Sequence, residues 1–133
     1  SLCHLLQNYR DVRVVFIAPD QFGMGDDVKA HLKAEGIPYT DGARLADVIG
    51  DLDALYVTRM QTEWDTAGET SRVDYAEYSV TPANVGRLKA GAVIMHPLPR
   101  GPEIHPSIDD DPRAVYWRQE RNGMWMRVAI LLK

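Results

Sequence analysis

Scarce cysteine, no long apolar run and no excess of positive charge bound what this chain of 133 residues can be. Its single cysteine, Cys3, excludes an internal disulfide framework and a cysteine-rich metal site. Flanked by Leu2, Leu5 and Leu6, that thiol reads as an inert buried group. No uninterrupted apolar stretch approaches the ~20 residues a membrane span needs, so no membrane partner is expected. A formal net charge of -4 and a pI near 5.5, with no basic stripe, argue against nucleic acid as a partner. Small anions held by individual arginines stay open. The amino terminus has neither the basic n-region nor the length of a signal peptide and reads as helix interior, so the expectation is a cytoplasmic fragment of a longer chain. Repeats and low-complexity tracts are missing, and no histidine pair has zinc spacing. The Asp109-Asp110-Asp111 run lacks the glycine of a calcium loop and reads as solvated loop. No metal and no cofactor is expected.

What is present is an ordinary globular composition, 45% hydrophobic and 26% charged residues, over about one domain's length. Helical apolar spacing runs from Leu2 to Tyr9. The β-branched run Val12-Arg13-Val14-Val15-Phe16-Ile17 then predicts a strand covered on both faces. Asp26 and Asp27 open a helix through Lys33 that Gly36 closes. A short second strand at Ile37–Tyr39 and a helix from Ala43 to Ile49 follow. Ala54-Leu55-Tyr56-Val57-Thr58 is a third strand, Trp64 to Val73 a loop, and Thr81-Pro82 the cap and first turn of a helix through Leu88. Ala92 to Met95 is a fourth strand, followed by an acidic, proline-punctuated loop and a helix from about Arg113 to Lys133. Strands alternating with helices predict an α/β fold, a three-layer, Rossmann-like parallel sheet with helices on both faces. Residues 1–112 form the α/β domain in this reading. The apolar helix 113–133 leaves no wide polar face after Arg127 and wants burial on more than one side.

Two strand ends carry the chemistry. His96-Pro97-Leu98-Pro99-Arg100 ends the fourth strand with two prolines, which remove two amide donors and force the chain off its sheet. Carboxyl ends of parallel strands are where α/β proteins bind ligands. A rigid loop of this kind suits a small polar ligand, and an X-Pro bond here is a candidate for the cis form. The third strand ends in Arg59-Met60-Gln61-Thr62-Glu63, whose alternation puts Arg59, Gln61 and Glu63 on one side. A guanidinium matches a carboxylate bidentately and a glutamine serves a second oxygen or an ammonium group, so the pair suits an amino acid. The blander reading pairs Arg59 with Glu63 across the loop. Of the histidines, His4 reads as helix interior, His31 as surface and His105 as loop. His96 reads either as a direct participant or as a residue that hydrogen-bonds backbone to shape its loop.

The segments Tyr56-Val57-Thr58-Arg59-Met60-Gln61-x-Glu63, His96 to Arg100, and Asp111-Pro112-Arg113-Ala114-x-Tyr116-x-Arg118-Gln119-x-x-Asn122-Gly123-Met124 occur in that order. Together with the Phe16-Ile17-Ala18-Pro19 strand end they resemble the aspartate carbamoyltransferase family, and the likeness covers nearly the whole chain as that family's carboxy-terminal, aspartate-binding half. The resemblance implies that Arg59 and Gln61 hold L-aspartate and that Leu98 and Pro99 present backbone groups to carbamoyl phosphate across a cis Leu98-Pro99 bond. His96, Pro97 and Arg100 then shape the loop. It also implies transfer of a carbamoyl group to aspartate for pyrimidine synthesis, without a protein nucleophile, in a homotrimer of the longer chain. The Ser-Thr-Arg-Thr-type phosphate loop, the phosphate-binding arginines, the carbonyl-polarising histidine and the neighbouring subunit's lysine find no counterpart here. The 133 residues alone are therefore expected to be inactive. The ornithine-using sister family is the nearest alternative, but it typically has cysteine where this chain has Pro97. A non-catalytic Rossmann-like binding domain and an assembly module are the others.

Overall fold

Short, branched apolar segments pair in parallel because each is followed by a helix or turn long enough to return the chain to the same edge. The computed structural model describes residues 2–59 and 74–133. It has α1 (Leu2–Leu6), β1 (Val14–Val15), α2 (Asp26–Ala34), β2 (Tyr39–Thr40), α3 (Leu45–Val48), β3 (Ala54–Tyr56), α4 (Pro82–Val85), β4 (Val93–Met95) and α5 (Tyr116–Leu131). The chain divides into two compact units, Ser1–Asp47 and Val48–Lys133. Each has a two-stranded parallel sheet, β1–β2 in the first and β3–β4 in the second. The α/β class with parallel strands, expected from the sequence, is what the structure has.

In the first unit Phe16, Leu32 and Ile37 form the buried core, with Cys3, Leu6, Val12, Val14, Met24 and Val28 packed around it. Helix α2 ends where Gly36 takes φ +69°, a left-handed conformation that costs a side-chain-bearing residue about 1 kcal/mol or more. Its amide reaches the Lys33 carbonyl at 3.2 Å while Ile37 N–H reaches Leu32 at 2.9 Å, so the cap itself delivers Ile37 to the core. His4 lies inside α1 as the sequence predicts and is exposed, whereas His31, expected at the surface, is half-buried; its Nε2 is buried without a hydrogen-bond partner among the described residues and its ring lies 4.0 Å from that of His4.

The second unit is built around β4. Its register with β3 is Ala54–Val93, Leu55–Ile94, Tyr56–Met95. On the other side of β4, Ile94 N–H donates to Arg113 (2.7 Å) and Val115 N–H donates to Ile94 (2.9 Å), so the segment entering α5 acts as another parallel neighbour. Ile94 is consequently fully buried, as are Val80, Ile104 and Tyr116. Strand β3 buries only Leu55; Ala54 and Tyr56 are exposed, so this strand is less covered than its continuous apolar run predicts. Helix α4 begins at Pro82 as expected, with the Asn84 side chain accepting the Thr81 amide at 2.9 Å. Among its residues α5 buries only Tyr116 and exposes Trp117, Met124, Trp125, Met126, Ile130 and Leu131.

Candidate functional site

Parallel register alone brings the two candidate segments together. Tyr56 sits opposite Met95 at the carboxyl ends of β3 and β4, and Val57 N–H donates to the Met95 carbonyl at 2.9 Å. Thr58 and Arg59 therefore leave the sheet beside His96 and Pro97. Arg59 is exposed, and Gln61 lies outside the described residues, as do Glu63 and the loop assigned to Trp64–Val73.

The loop after β4 is held from below. Its Leu98–Pro99 peptide is cis, and Leu98 has φ +54°, a costly value for a non-glycine residue that only surrounding contacts maintain. One such contact is the Leu98 amide donating to His96 Nδ1 at 2.9 Å. Pro97 and Pro99 have no amide hydrogen and that of Leu98 is committed, so the backbone at 97–99 has only acceptors to offer a ligand. His96 is 1% exposed. Its amide donates to Gln119 Oε1 of α5 at 3.0 Å, and its Nε2 lies 2.8 Å from Glu103 Oε1, which also accepts the Gly101 amide at 2.7 Å. The geometry thus makes His96 a support of the loop.

Arg100 is likewise engaged inward. It donates to the Ile104 carbonyl at 3.1 Å and to Asp109 at 2.6 Å, while the buried Tyr116 hydroxyl donates to the other Asp109 oxygen. Burial, together with that carboxylate, pushes the Tyr116 phenol well above its ordinary range. The acidic run is therefore less solvated than it reads. Asp109 serves Arg100 and Tyr116, whereas Asp111 takes a two-pronged contact from Arg113, at 2.9 and 2.7 Å, whose third arm reaches the Leu88 carbonyl at 2.8 Å.

The Arg113 contact holds the Asp111 carboxyl below its usual range. A carboxylate depressed on folding contributes stability that is fully present above its unfolded value near pH 4 and is lost as pH falls through the lower folded value. Asp111→Asn is accordingly expected to be less stable than the parent at neutral pH, with the gap closing below about pH 4. Urea midpoints measured from pH 7 down to pH 2.5 check this; a gap constant with pH refutes the assignment.

Glu103 and the supporting role of Gln119 escaped the sequence reading. Glu103 is a lone acid between Pro102 and Ile104, and nothing in its spacing marks it. Its burial follows from a non-local bridge in which Val80 N–H donates to the Glu103 carbonyl at 2.8 Å.

A family model described as aspartate/ornithine carbamoyltransferase, Asp/Orn binding domain, matches residues 1–133. The chloroplastic aspartate carbamoyltransferase of Oryza sativa subsp. japonica is 39% identical over 136 residues, which cover 98% of this chain and 36% of that protein. The aspartate carbamoyltransferase catalytic subunit of Clostridium novyi is 35% identical, over 100% of this chain and 44% of its own length. Among solved structures, aspartate transcarbamoylase from Trypanosoma cruzi in complex with carbamoyl phosphate superposes with a TM-score of 0.85 at 35% identity, covering 98% of this chain and 43% of that one. The catalytic subunit of the M. jannaschii enzyme gives the same TM-score and identity over 42% of its chain. The 133 residues thus span less than half of each of these relatives. The chain belongs to the aspartate/ornithine carbamoyltransferase family and is its Asp/Orn binding domain.

Proposed function

We propose that this chain is the aspartate-binding half of an aspartate carbamoyltransferase, acting with a carbamoyl-phosphate-binding half of the kind its relatives carry in one longer polypeptide. The observation that carries the reading is the shared rim: Arg59 after β3 and the acceptor-only loop 97–99 after β4 leave neighbouring parallel strands at the same end. A guanidinium there suits a carboxylate of L-aspartate, and Gln61, two residues on in the sequence, suits its other polar groups. Backbone carbonyls at Leu98 and its prolines suit N–H donors, which the carbamoyl amide has and a phosphate lacks.

The amine nitrogen of aspartate attacks the carbonyl carbon of carbamoyl phosphate. The carbon–oxygen bond to phosphate breaks, phosphate leaves with the bonding pair, and the proton lost by the amine passes to the departing phosphate, yielding N-carbamoyl-L-aspartate for pyrimidine synthesis. The chain's share of this work is to bind and orient. Support comes also from the T. cruzi relative, which has been solved with carbamoyl aspartate and phosphate. Residues 113–133 would carry the exposed apolar side chains of α5 onto the carbamoyl-phosphate half, and the longer chain would work as a cytoplasmic homotrimer.

Aspartate is favoured over ornithine by Pro97 and by the Arg59-x-Gln61-x-Glu63 pattern, which the ornithine-using family lacks. The test joins this chain to the carbamoyl-phosphate half of a relative and offers each amino acid with carbamoyl phosphate. Carbamoyl-aspartate is the expected product, with ornithine used at least about a hundredfold less well, because a site whose polar groups match one ligand leaves them unpaired with another. Equal use of ornithine, or of neither, refutes the reading.

A further inference from the structure

We propose that Glu103 is a positioning residue that selects the tautomer of His96 and so keeps the loop at 97–99 free of amide donors. The inference rests on the function proposed above only for its kinetic consequence. The structural half rests on four contacts. Leu98 N–H donates to Nδ1 at 2.9 Å, which requires Nδ1 to bear a lone pair and no proton. The ring hydrogen is then on Nε2, 2.8 Å from Glu103 Oε1. The same oxygen accepts the Gly101 amide at 2.7 Å, and the His96 amide is taken by Gln119. With His96 at 1% and Glu103 at 6% exposure, water does not compete for these bonds.

The alternative tautomer is doubly unfavourable. Its Nε2 lone pair would face a carboxylate, and its Nδ1 hydrogen would face the Leu98 hydrogen, expelling that amide toward the ligand side of the loop. A donor would then stand among the carbonyls that the proposed site uses for an N–H ligand. Gly101 fits the same arrangement, since a Cβ there would lie 2.9 Å from Glu103 Oε2 and displace the carboxylate. Orientation of a histidine by a buried carboxylate through its far nitrogen is a general device for fixing which nitrogen acts.

Nitrogen-15 NMR of the unmodified chain tests the tautomer directly. Expected are an unprotonated Nδ1 and a protonated Nε2 for His96, with a scalar coupling across the hydrogen bond between Nδ1 and the Leu98 amide nitrogen. A proton on Nδ1 overturns the proposal without reference to activity. In the joined enzyme, Glu103→Leu is expected to raise KM for carbamoyl phosphate roughly tenfold to a hundredfold. KM for aspartate should change less than about twofold, since the Arg59 side of the site keeps its contacts. Glu103→Gln retains an acceptor oxygen for both Gly101 and Nε2 and should recover most of the loss. His96→Asn supplies an acceptor at the Nδ1 position and should outperform His96→Leu even if both lower stability. Equal KM values in Glu103→Leu and parent, or no rescue by Glu103→Gln, refute the positioning role. An unmodified joined enzyme that makes no carbamoyl-aspartate refutes the function proposed above instead, and the NMR result stands apart from it.

Discussion

Given both substrates, the 133-residue chain alone is expected to form carbamoyl-aspartate on the order of ten-thousand-fold more slowly than the same chain joined to a carbamoyl-phosphate half, or not measurably at all. The argument is one of positioning. Bringing two substrates into a reactive pose supplies about 7 to 11 kcal/mol in well-oriented systems, and fixed donors aimed at the developing charge supply more. The proposed site draws on Arg59, Gln61 and a short row of carbonyls at 97–99 for that task. None of these neutralises a departing phosphate. Arg100, next to the loop in sequence, is spent on Asp109 and the Ile104 carbonyl, Lys89 on Asp53, and Arg113 on Asp111 and the Leu88 carbonyl. The apolar side chains of α5 point the same way, since Trp125 at 59% and Leu131 at 85% exposure are the groups that the proposed function places against the carbamoyl-phosphate half. A coupled or colorimetric assay of both proteins at matched concentration checks the ratio. Comparable turnover by the short chain would show that it contains a complete site and would overturn this expectation.

Legibility in the sequence followed how local each cause was. The ends of β3 and β4, the prolines that stop β4, Pro82 opening α4 and the left-handed Gly36 all depend on residues within a few positions of one another, and each stood out as a run or a break in the pattern. Parallel pairing followed from the alternation of strands and helices, and with it the common rim of Arg59 and Leu98. Glu103 did not stand out because its burial depends on Val80, more than twenty positions away, through a bridge that no spacing announces. The acidic run misled for a different reason: the partners of Asp109 and Asp111, which are Arg100, Tyr116 and Arg113, lie close in sequence but are selected by how the loop folds, and they turn two of three adjacent charges into separate contacts. His31 departed from its expected surface position because burial at its Nε2 is set by how α1 packs on α2 in the first unit, not by its polar neighbours in the chain.

Replacing the guanidinium that follows β3 is the sharpest test of the amino-acid side of the site. In the joined enzyme Arg59→Ala is expected to lower kcat/KM for aspartate roughly tenfold to a hundredfold, the range that loss of a charge-assisted, bidentate contact to a carboxylate gives. Carbamoyl phosphate binding, measured separately, should move little. Arg59→Lys retains the charge but not the planar fork, so it should recover only part of the loss. Stability is the control. Arg59 is exposed, and a surface substitution of this kind usually changes folding by no more than about 0.5 kcal/mol, so matched urea midpoints separate a lost ligand contact from a damaged fold. If aspartate kinetics of Arg59→Ala equal those of the parent while its fold is intact, the guanidinium serves only its own loop, and recognition of the amino acid must come from elsewhere on the rim.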